Sequence, residues 1–167
     1  MQSEFLFTVA EIAVAFAGFA GLIIAISGRQ GRSEAEVRLD LVLLKNVLGA
    51  SLMAVAFALI PATLLGMNVE PSVAWRGSAL LYATSLTVYM SRTVPRQVAS
   101  YRAAGRSLPV TYQLNTGLAI VAIVSQGLCA AGVLPTSVYL PSLLFLLYAS
   151  GVSFVRVFLS VARDNAA

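Results

Sequence analysis

Glu11 has the most distinctive chemistry in the chain, because it is a carboxyl within a long apolar run over residues 5–27. It lies about two helical turns into that run, roughly 9 Å from Phe5 at a rise of 1.5 Å per residue. An ionisable group at this depth is costly in hydrocarbon and by default marks the path of an ion or a proton. The alternative is a structural carboxyl that is protonated, or bonded to a hydroxyl or to Arg76, and only holds helices together.

Hydroxyl groups follow one face of the third apolar run. Steps of four, three, four and three residues separate its polar members, which are Ser78, Tyr82, Ser85, Tyr89 and Arg92. This spacing predicts a helix with one polar side, which must face the bundle or water because lipid offers no hydrogen bonds. The face either lines a path or only bonds to neighbouring helices, a frequent role of hydroxyls in membranes. Asn115 and Gln126 mark a similar polar face on the fourth run.

Helices that run in opposite directions bring distant residues to one depth, so these polar residues can be sorted into two layers. The outer layer contains the ion or proton site candidates Glu11, Tyr82 and Gln126, with the Phe57 carbonyl that Pro61 would free. The inner layer contains Lys45, Asn46, Tyr89, Asn115 and Arg156. The outer layer would be acidic and the inner layer basic, so a cation entering from outside would meet Glu11 first.

Small residues recur in the first run, where Ala13, Ala17 and Gly21 occupy every fourth position. Small residues at this spacing allow two helix backbones to approach closely in a membrane. We therefore expect these residues to pack tightly against another helix. The same spacing is common in membrane helices and indicates a defined homodimer only weakly.

Several kinds of catalytic and cofactor site are absent from the sequence. The chain has no histidine and one cysteine, Cys129, which argues against zinc sites, haem attachment and histidine acid–base catalysis. It also has no phosphate-binding loop, dinucleotide fingerprint, catalytic triad or pair of catalytic carboxylates. We accordingly expect no enzyme activity, no cofactor, no metal site and no nucleic-acid partner.

Transmembrane helices must position these residues. Of the 167 residues, 59% are hydrophobic and 11% are charged, against about 25% charged in soluble domains. Five apolar runs are long enough to cross about 30 Å of hydrocarbon, over residues 5–27, 41–66, 77–94, 110–134 and 138–162. The sequence predicts an all-α, polytopic membrane protein, a single domain over residues 1–167 built as a bundle of five transmembrane helices.

The placement of arginine predicts the orientation of the bundle, since basic residues near the span ends resist translocation. Most arginines fall in alternate loops, including Arg96, Arg102 and Arg106 in a third loop without acidic residues, whereas Arg76 falls opposite. The N-terminus is therefore predicted outside and the C-terminus in the cytoplasm. Arg96, Arg102 and Arg106 are candidates for contact with anionic lipid or a cytosolic partner.

Local signals complete the expected organisation of the chain. Ser33 and Glu36 match a capping box, so the second helix is expected to begin near residue 33 and to extend into the cytoplasm. The residues before the first run lack the basic start of a signal peptide, so this span is expected to remain in the mature protein. The preference for Arg over Lys and the Ala-rich helices favour a bacterial inner membrane.

The polar faces and the basic loops favour different functions. The first hypothesis is a small homo-oligomeric channel or transporter-like protein, in which polar faces line a path and Glu11 is the ion or proton site. An oligomer is favoured because five helices barely enclose a water path. The second hypothesis is a membrane module without transport activity, which binds a cytosolic partner or anionic lipid through its basic loops.

The predicted orientation is tested by cysteine labelling with a reagent that does not cross the membrane. A cysteine in the loop around Arg102 should react only from the cytoplasmic side, and one in the loop around Trp75 only from outside, because Arg-rich loops stay inside. Intact cells and inverted vesicles give the two measurements. Labelling of both loops from the same side would contradict five spans.

Overall fold

The chain folds as an all-α bundle in a computed structural model that describes residues 2–26, 34–103, 105 and 107–164. Its five helices are α1 (Gln2–Ile26), α2 (Glu34–Gly66), α3 (Pro71–Ala103), α4 (Val110–Ala130) and α5 (Tyr139–Asp164). A short 3-10 turn, Thr136–Val138, leads into α5. Ser33, the predicted N-cap of α2, and Arg106, a predicted lipid or partner contact, lie outside the described residues.

Four of the five described helices are long and apolar enough to cross a membrane. Their candidate spans are Glu4–Leu22, Leu41–Gly66, Val110–Ala130 and Thr136–Leu159. The described helix α3 does not reach this level, because hydroxyl side chains and arginines interrupt its apolar residues. The four candidate spans support a multi-pass membrane protein.

α2 is the central helix of the bundle. It packs against α1, α3 and α5, while α4 contacts α3 and α5, and α1 also contacts α5. The main core draws buried side chains from all five helices, and Leu6, Tyr82 and Tyr139 are among its largest fully buried residues. Small polar residues join the helices, as where the hydroxyls of Ser51 and Ser150 lie 2.7 Å apart between α2 and α5.

α3 is longer than its sequence predicts. The predicted span ends at residue 94 and the predicted loop covers residues 95–109, but one helix continues through Pro95 to Ala103. At 1.5 Å per residue, its 33 residues extend about 50 Å, which exceeds about 30 Å of hydrocarbon. α3 is therefore longer than the hydrocarbon core of a bilayer is thick.

The extension of α3 past Pro95 is held in place by contacts with the bundle. Proline removes one helical hydrogen bond, which favours a helix end on local grounds. Tyr101, however, is buried in a small cluster with Leu43 and Val157, so the last turns of α3 pack against α2 and α5. Arg102 consequently lies on a helix rather than in the predicted loop.

α4 ends at Ala130, before the predicted limit at residue 134. Gly132 explains the difference, because its φ of 78° lies in the left-handed region that glycine adopts without strain. The amides of Val133 and Leu134 then bond to the Leu128 carbonyl at 2.9 and 3.2 Å. This turn closes α4 and directs the chain into α5.

A side chain from α5 compensates for the proline inside α2. Pro61 cannot donate the amide hydrogen that the Phe57 carbonyl would otherwise accept. The Tyr139 hydroxyl donates to this carbonyl at 2.8 Å, and Tyr139 is fully buried. The free carbonyl was predictable from Pro61, whereas its partner on a distant helix was not.

Loss of the Tyr139 hydroxyl should destabilise the bundle. We predict that Tyr139→Phe lowers the free energy of unfolding by about 1–3 kcal/mol, because the Phe57 carbonyl would be left buried and unpaired. Tyr148→Phe is a matched control, since Tyr148 lies on the same helix and is 40% exposed. Unfolding in mixed detergent micelles measures both variants, and equal stability of the two would refute the role of Tyr139.

Candidate functional site

A cavity of about 80 Å³ lies between α2, α3, α4 and α5. Four of the five residues of the predicted inner layer line it, one from each helix: Asn46, Tyr89, Asn115 and Arg156. We call it the basic-end cavity, because the exposed cations Lys45, Arg92 and Arg96 lie at the same end of the bundle. The structure thus brings together four polar residues that are distant in the sequence.

The rest of the cavity wall is mainly apolar and includes Leu86, Met90 and Leu146. Alanines on three helices leave the space open, namely Ala50, Ala119 and Ala149. A buried water needs about 10–15 Å³ of such space, so the cavity has room for several water-sized groups. An apolar wall with a few polar groups is the usual composition of a small-molecule site.

Tyr89 is positioned by a close approach to α2. Its hydroxyl donates to the Asn46 Oδ1 at 3.2 Å. One turn further along α2, a Cβ built on Gly49 would lie 2.8 Å from the ring and the hydroxyl of Tyr89. Because Gly49 has no side chain, the Tyr89 ring can pack directly against α2 beside the cavity.

Asn115 presents an unpaired acceptor at the cavity. Its Oδ1 is buried and has no hydrogen-bond partner among the described residues. A buried acceptor without a partner costs about 1–3 kcal/mol, so the site favours a molecule that offers a donor, such as water or a hydroxyl. Arg156 lies half-buried in the wall, and within the described part of the chain no acidic residue lines the cavity.

An open groove of about 640 Å³ adjoins the basic-end cavity and shares Asn46 and Tyr89 with it. Its cations are Lys45, Arg92 and Arg96. Lys45, the fifth residue of the predicted inner layer, lines this groove rather than the cavity. No acidic side chain lines the groove among the described residues, so we call it the basic groove.

The opposite half of the bundle is filled by an aromatic core, which we define as Phe57, Trp75, Tyr82 and Tyr139. Tyr82 contacts Phe57 and Tyr139 at ring-centroid distances of 5.0 and 6.1 Å, and Trp75 contacts Tyr139 at 5.4 Å. Ala122 and Cys129 of α4 and Leu143 of α5 are buried in the same cluster as these rings. Within the described bundle, the aromatic core therefore packs side chains from four helices together.

Tyr82 and Gln126 are both bonded inside this closed half. The Tyr82 hydroxyl donates to the Ser142 carbonyl at 2.7 Å, and the Gln126 Nε2 donates to the Ser142 Oγ at 2.8 Å and to the Val138 carbonyl at 3.0 Å. Both residues are fully buried. Of the side-chain polar atoms of these two residues, the Gln126 Oε1 alone lacks a partner among the described residues. The structure thus brings these two ion or proton site candidates together at Ser142, in hydrogen bonds that join α3, α4 and α5.

The structure does not bring Glu11 into this group. Its neighbours Ala10 and Ala13 belong to the same core cluster as Tyr82. Its own side chain, however, is on the exposed face of α1. A helix turns about 100° per residue, and the faces bearing Ala10 and Ala13 are the ones that pack against α2 and α5.

The small residues of α1 lie partly on its buried side and partly on its exposed side. Ala13 is fully buried, Ala17 is half-buried, and Gly21 is exposed with no atom within 4 Å of a Cβ built on it. Each step of four residues turns about 40° around the helix. Gly21, two steps after Ala13, therefore no longer faces the neighbours that Ala13 contacts. Only the first part of this series packs in the core.

The residues that the sequence analysis missed lie beyond Pro95 and on the following helix. Gln97 and Tyr112 line the basic-end cavity, although Gln97 was expected in a loop. Tyr89, Thr93 and Gln97 follow at steps of four residues, and this continuation of a helical face was the available signal. Tyr112 carries no comparable signal, because its position depends on how α4 packs against α3.

Comparisons with known proteins give no functional lead: no family model, no curated protein and no solved structure matches the chain. The residues themselves narrow the chemistry. In the described part of the chain, no group of three or more His, Cys, Asp and Glu residues could hold a metal ion. The site offers cations, hydrogen-bonding groups and an apolar wall. Groups of these kinds bind and orient a molecule.

Proposed function

We propose that the chain is a five-span protein of a bacterial inner membrane that binds an anionic lipid at its basic end, without catalysing a reaction. The observation that carries this proposal is the junction of the basic groove with the apolar basic-end cavity. Such a junction suits a molecule with an anionic head group and an apolar chain. In this arrangement α3 crosses the membrane in addition to the four candidate spans, with its polar face towards the bundle. The basic end of the bundle faces the cytoplasm.

The head group is expected at the basic groove. Lys45, Arg92 and Arg96 approach it from α2 and α3. Basic residues near a membrane surface attract anionic lipids by about 1 kcal/mol each, and Arg can bind a phosphate through two parallel hydrogen bonds. None of the acidic residues whose side chains the structure describes lines the groove beside these cations. The groove therefore selects for negative charge.

The apolar part of the ligand is expected to reach the basic-end cavity. Leu86, Met90 and Leu146 provide an apolar wall, while Asn115 offers a buried acceptor to a hydroxyl of the ligand or to a water molecule. Apolar surface removed from water stabilises binding by about 25 cal/mol per Å². A soluble cytosolic partner would use the cations but has no need of this cavity, so a lipid accounts for both features.

A second candidate function is an ion- or proton-conducting homo-oligomer with Glu11 as its site. It is favoured by the exposed position of Glu11 within the candidate span Glu4–Leu22. The path would lie between copies, because the aromatic core fills the inside of the described bundle.

Removal of the groove cations should weaken the binding of anionic lipid. We predict that Arg92→Gln combined with Arg96→Gln lowers affinity for phosphatidylglycerol about 25-fold, at about 1 kcal/mol and hence about fivefold per cation. Arg76→Gln is the matched control, since Arg76 is an exposed arginine at the other end of α3. Native mass spectrometry in detergent, with phosphatidylcholine as the neutral comparison, measures the bound fractions.

Cavity filling distinguishes a lipid from a polar partner in the same measurement. Ala149→Leu should weaken binding about fivefold or more, because the added atoms occupy the cavity. Ala56→Leu adds the same atoms on an exposed side of α2 and should leave binding unchanged. If the arginine substitutions lower the affinity but Ala149→Leu leaves it unchanged, the result would contradict lipid insertion and favour a polar partner at the groove.

The ion-path candidate is tested by flux through reconstituted vesicles. Glu11→Gln should change the rate or the pH dependence of flux if Glu11 carries the ion or proton, because the amide keeps the shape and loses the charge. Its fold should be unaffected, since Glu11 is exposed. Identical rates and pH profiles in wild type and variant would exclude Glu11 as the site.

A further inference from the structure

The lining of the basic-end cavity changes from apolar to polar along the helices. On α3 the lining runs from Leu86 to Gln97, and on α5 it runs from Leu146 to Arg156, in both cases towards the basic end. A ligand in this cavity therefore turns its polar groups towards the basic groove and its apolar part towards the middle of the bundle.

The polar part of the cavity lacks a hydrogen-bond donor at one defined atom. Among the buried side-chain atoms of the described residues, the Asn115 Oδ1 and the Gln126 Oε1 have no partner, and Asn115 lines the cavity. The Asn46 Oδ1 in the same wall already accepts from the Tyr89 hydroxyl. A bound molecule with a hydrogen to donate would remove the cost of leaving the Asn115 acceptor unpaired.

The size of the cavity limits how many acyl chains enter it. A buried group the size of a water molecule needs about 10–15 Å³, so a cavity of about 80 Å³ holds roughly six such groups. This is room for a carbon that bears a hydroxyl and for the first carbons of one chain, but not for two chains side by side. The remainder of the chain would lie outside the cavity, in the bilayer.

A free hydroxyl and a single chain occur together in one class of anionic lipid. In a diacyl phospholipid the central glycerol carbon carries an ester, which accepts hydrogen bonds but cannot donate one. In a lysophospholipid the same carbon carries a free hydroxyl, which can donate.

We propose that the site is selective for a single-chain anionic lysophospholipid, whose central glycerol hydroxyl donates to the Asn115 Oδ1. Its phosphate lies in the basic groove with Arg92 and Arg96, and its chain continues towards Leu86 and Leu146. This inference rests on the proposed function and names the class of lipid that the same site prefers.

Two lipids that differ by one hydroxyl test this selectivity on the full chain in detergent. Lysophosphatidate should bind about five- to tenfold more tightly than its analogue with hydrogen in place of the central hydroxyl, because the analogue leaves the Asn115 acceptor unpaired. Diacyl phosphatidate, which has the same phosphate and no central hydroxyl, should also bind less tightly than lysophosphatidate. Native mass spectrometry gives the bound fractions, and equal affinity for lysophosphatidate and its analogue would overturn the proposal.

Asn115→Leu tests whether Asn115 is the acceptor. Leucine has a similar size and no oxygen, so the preference for lysophosphatidate over its analogue should disappear. Gln113→Leu is the matched control, since Gln113 is an exposed amide on the same helix, and it should keep the preference. Taking the ratio of the two affinities within each protein cancels differences between the lipids themselves. A preference retained in Asn115→Leu would overturn the role of Asn115, and the comparison of the two lipids on the wild type decides the selectivity even if this variant does not fold.

Failure of this inference is distinguishable from failure of the proposed function. If phosphatidylglycerol binds in a manner that depends on Arg92 and Arg96, while lysophosphatidate and its analogue bind equally, only the selectivity for the single-chain lipid is contradicted. If none of these anionic lipids binds, the proposed function and this inference are both contradicted.

Discussion

Hydrocarbon offers no hydrogen bonds, and this constraint divides the polar groups of the bundle into three kinds. The first kind is bonded inside, as where Tyr139 supplies the donor that Pro61 removes from α2. The second kind surrounds the basic-end cavity, where Asn115 keeps a buried acceptor without a partner in the described part of the chain. The third kind is Glu11, which faces outward from α1. The first kind is paired within the protein, and in the proposed function the second kind meets the bound lipid.

The aromatic core determines which half of the bundle can be open. Tyr82 and Tyr139 are fully buried there: the Tyr82 hydroxyl links α3 to α5, and the Tyr139 hydroxyl links α5 to the Phe57 carbonyl of α2. Towards the other end, α2, α4 and α5 present Ala50, Ala119 and Ala149, and the basic-end cavity lies beside these small side chains. Because α3 continues through Pro95, Arg92 and Arg96 lie on one helix, at the basic groove that adjoins this cavity. An apolar space and a cationic surface thus arise from one arrangement of helices.

The depth of a polar residue in the bundle could be predicted from the sequence, whereas the side of the helix that faces the other helices could not. Counting residues along antiparallel helices places Asn46, Tyr89 and Asn115 at one level, and the structure brings them to one cavity. The same counting placed Glu11 near the level of Tyr82, but Glu11 faces away from it. Its direction depends on which side of α1 packs against α2 and α5, and the local pattern of α1 does not encode those neighbours. Tertiary contacts likewise override the local helix-ending signal of Pro95 in α3.

The most direct measurement of the central claim is photocrosslinking with an anionic phospholipid that carries a photoreactive group on its acyl chain. In vesicles, adducts are expected on the cavity-lining segments of α4 and α5, around Ala119 and Ala149, and should be lost on competition with unlabelled phosphatidylglycerol. A neutral phospholipid with the same photoreactive chain should label only outward-facing residues such as Leu52 and Val121, which are 63% exposed. Labelling confined to these outward residues for both lipids would contradict a lipid site at the basic end.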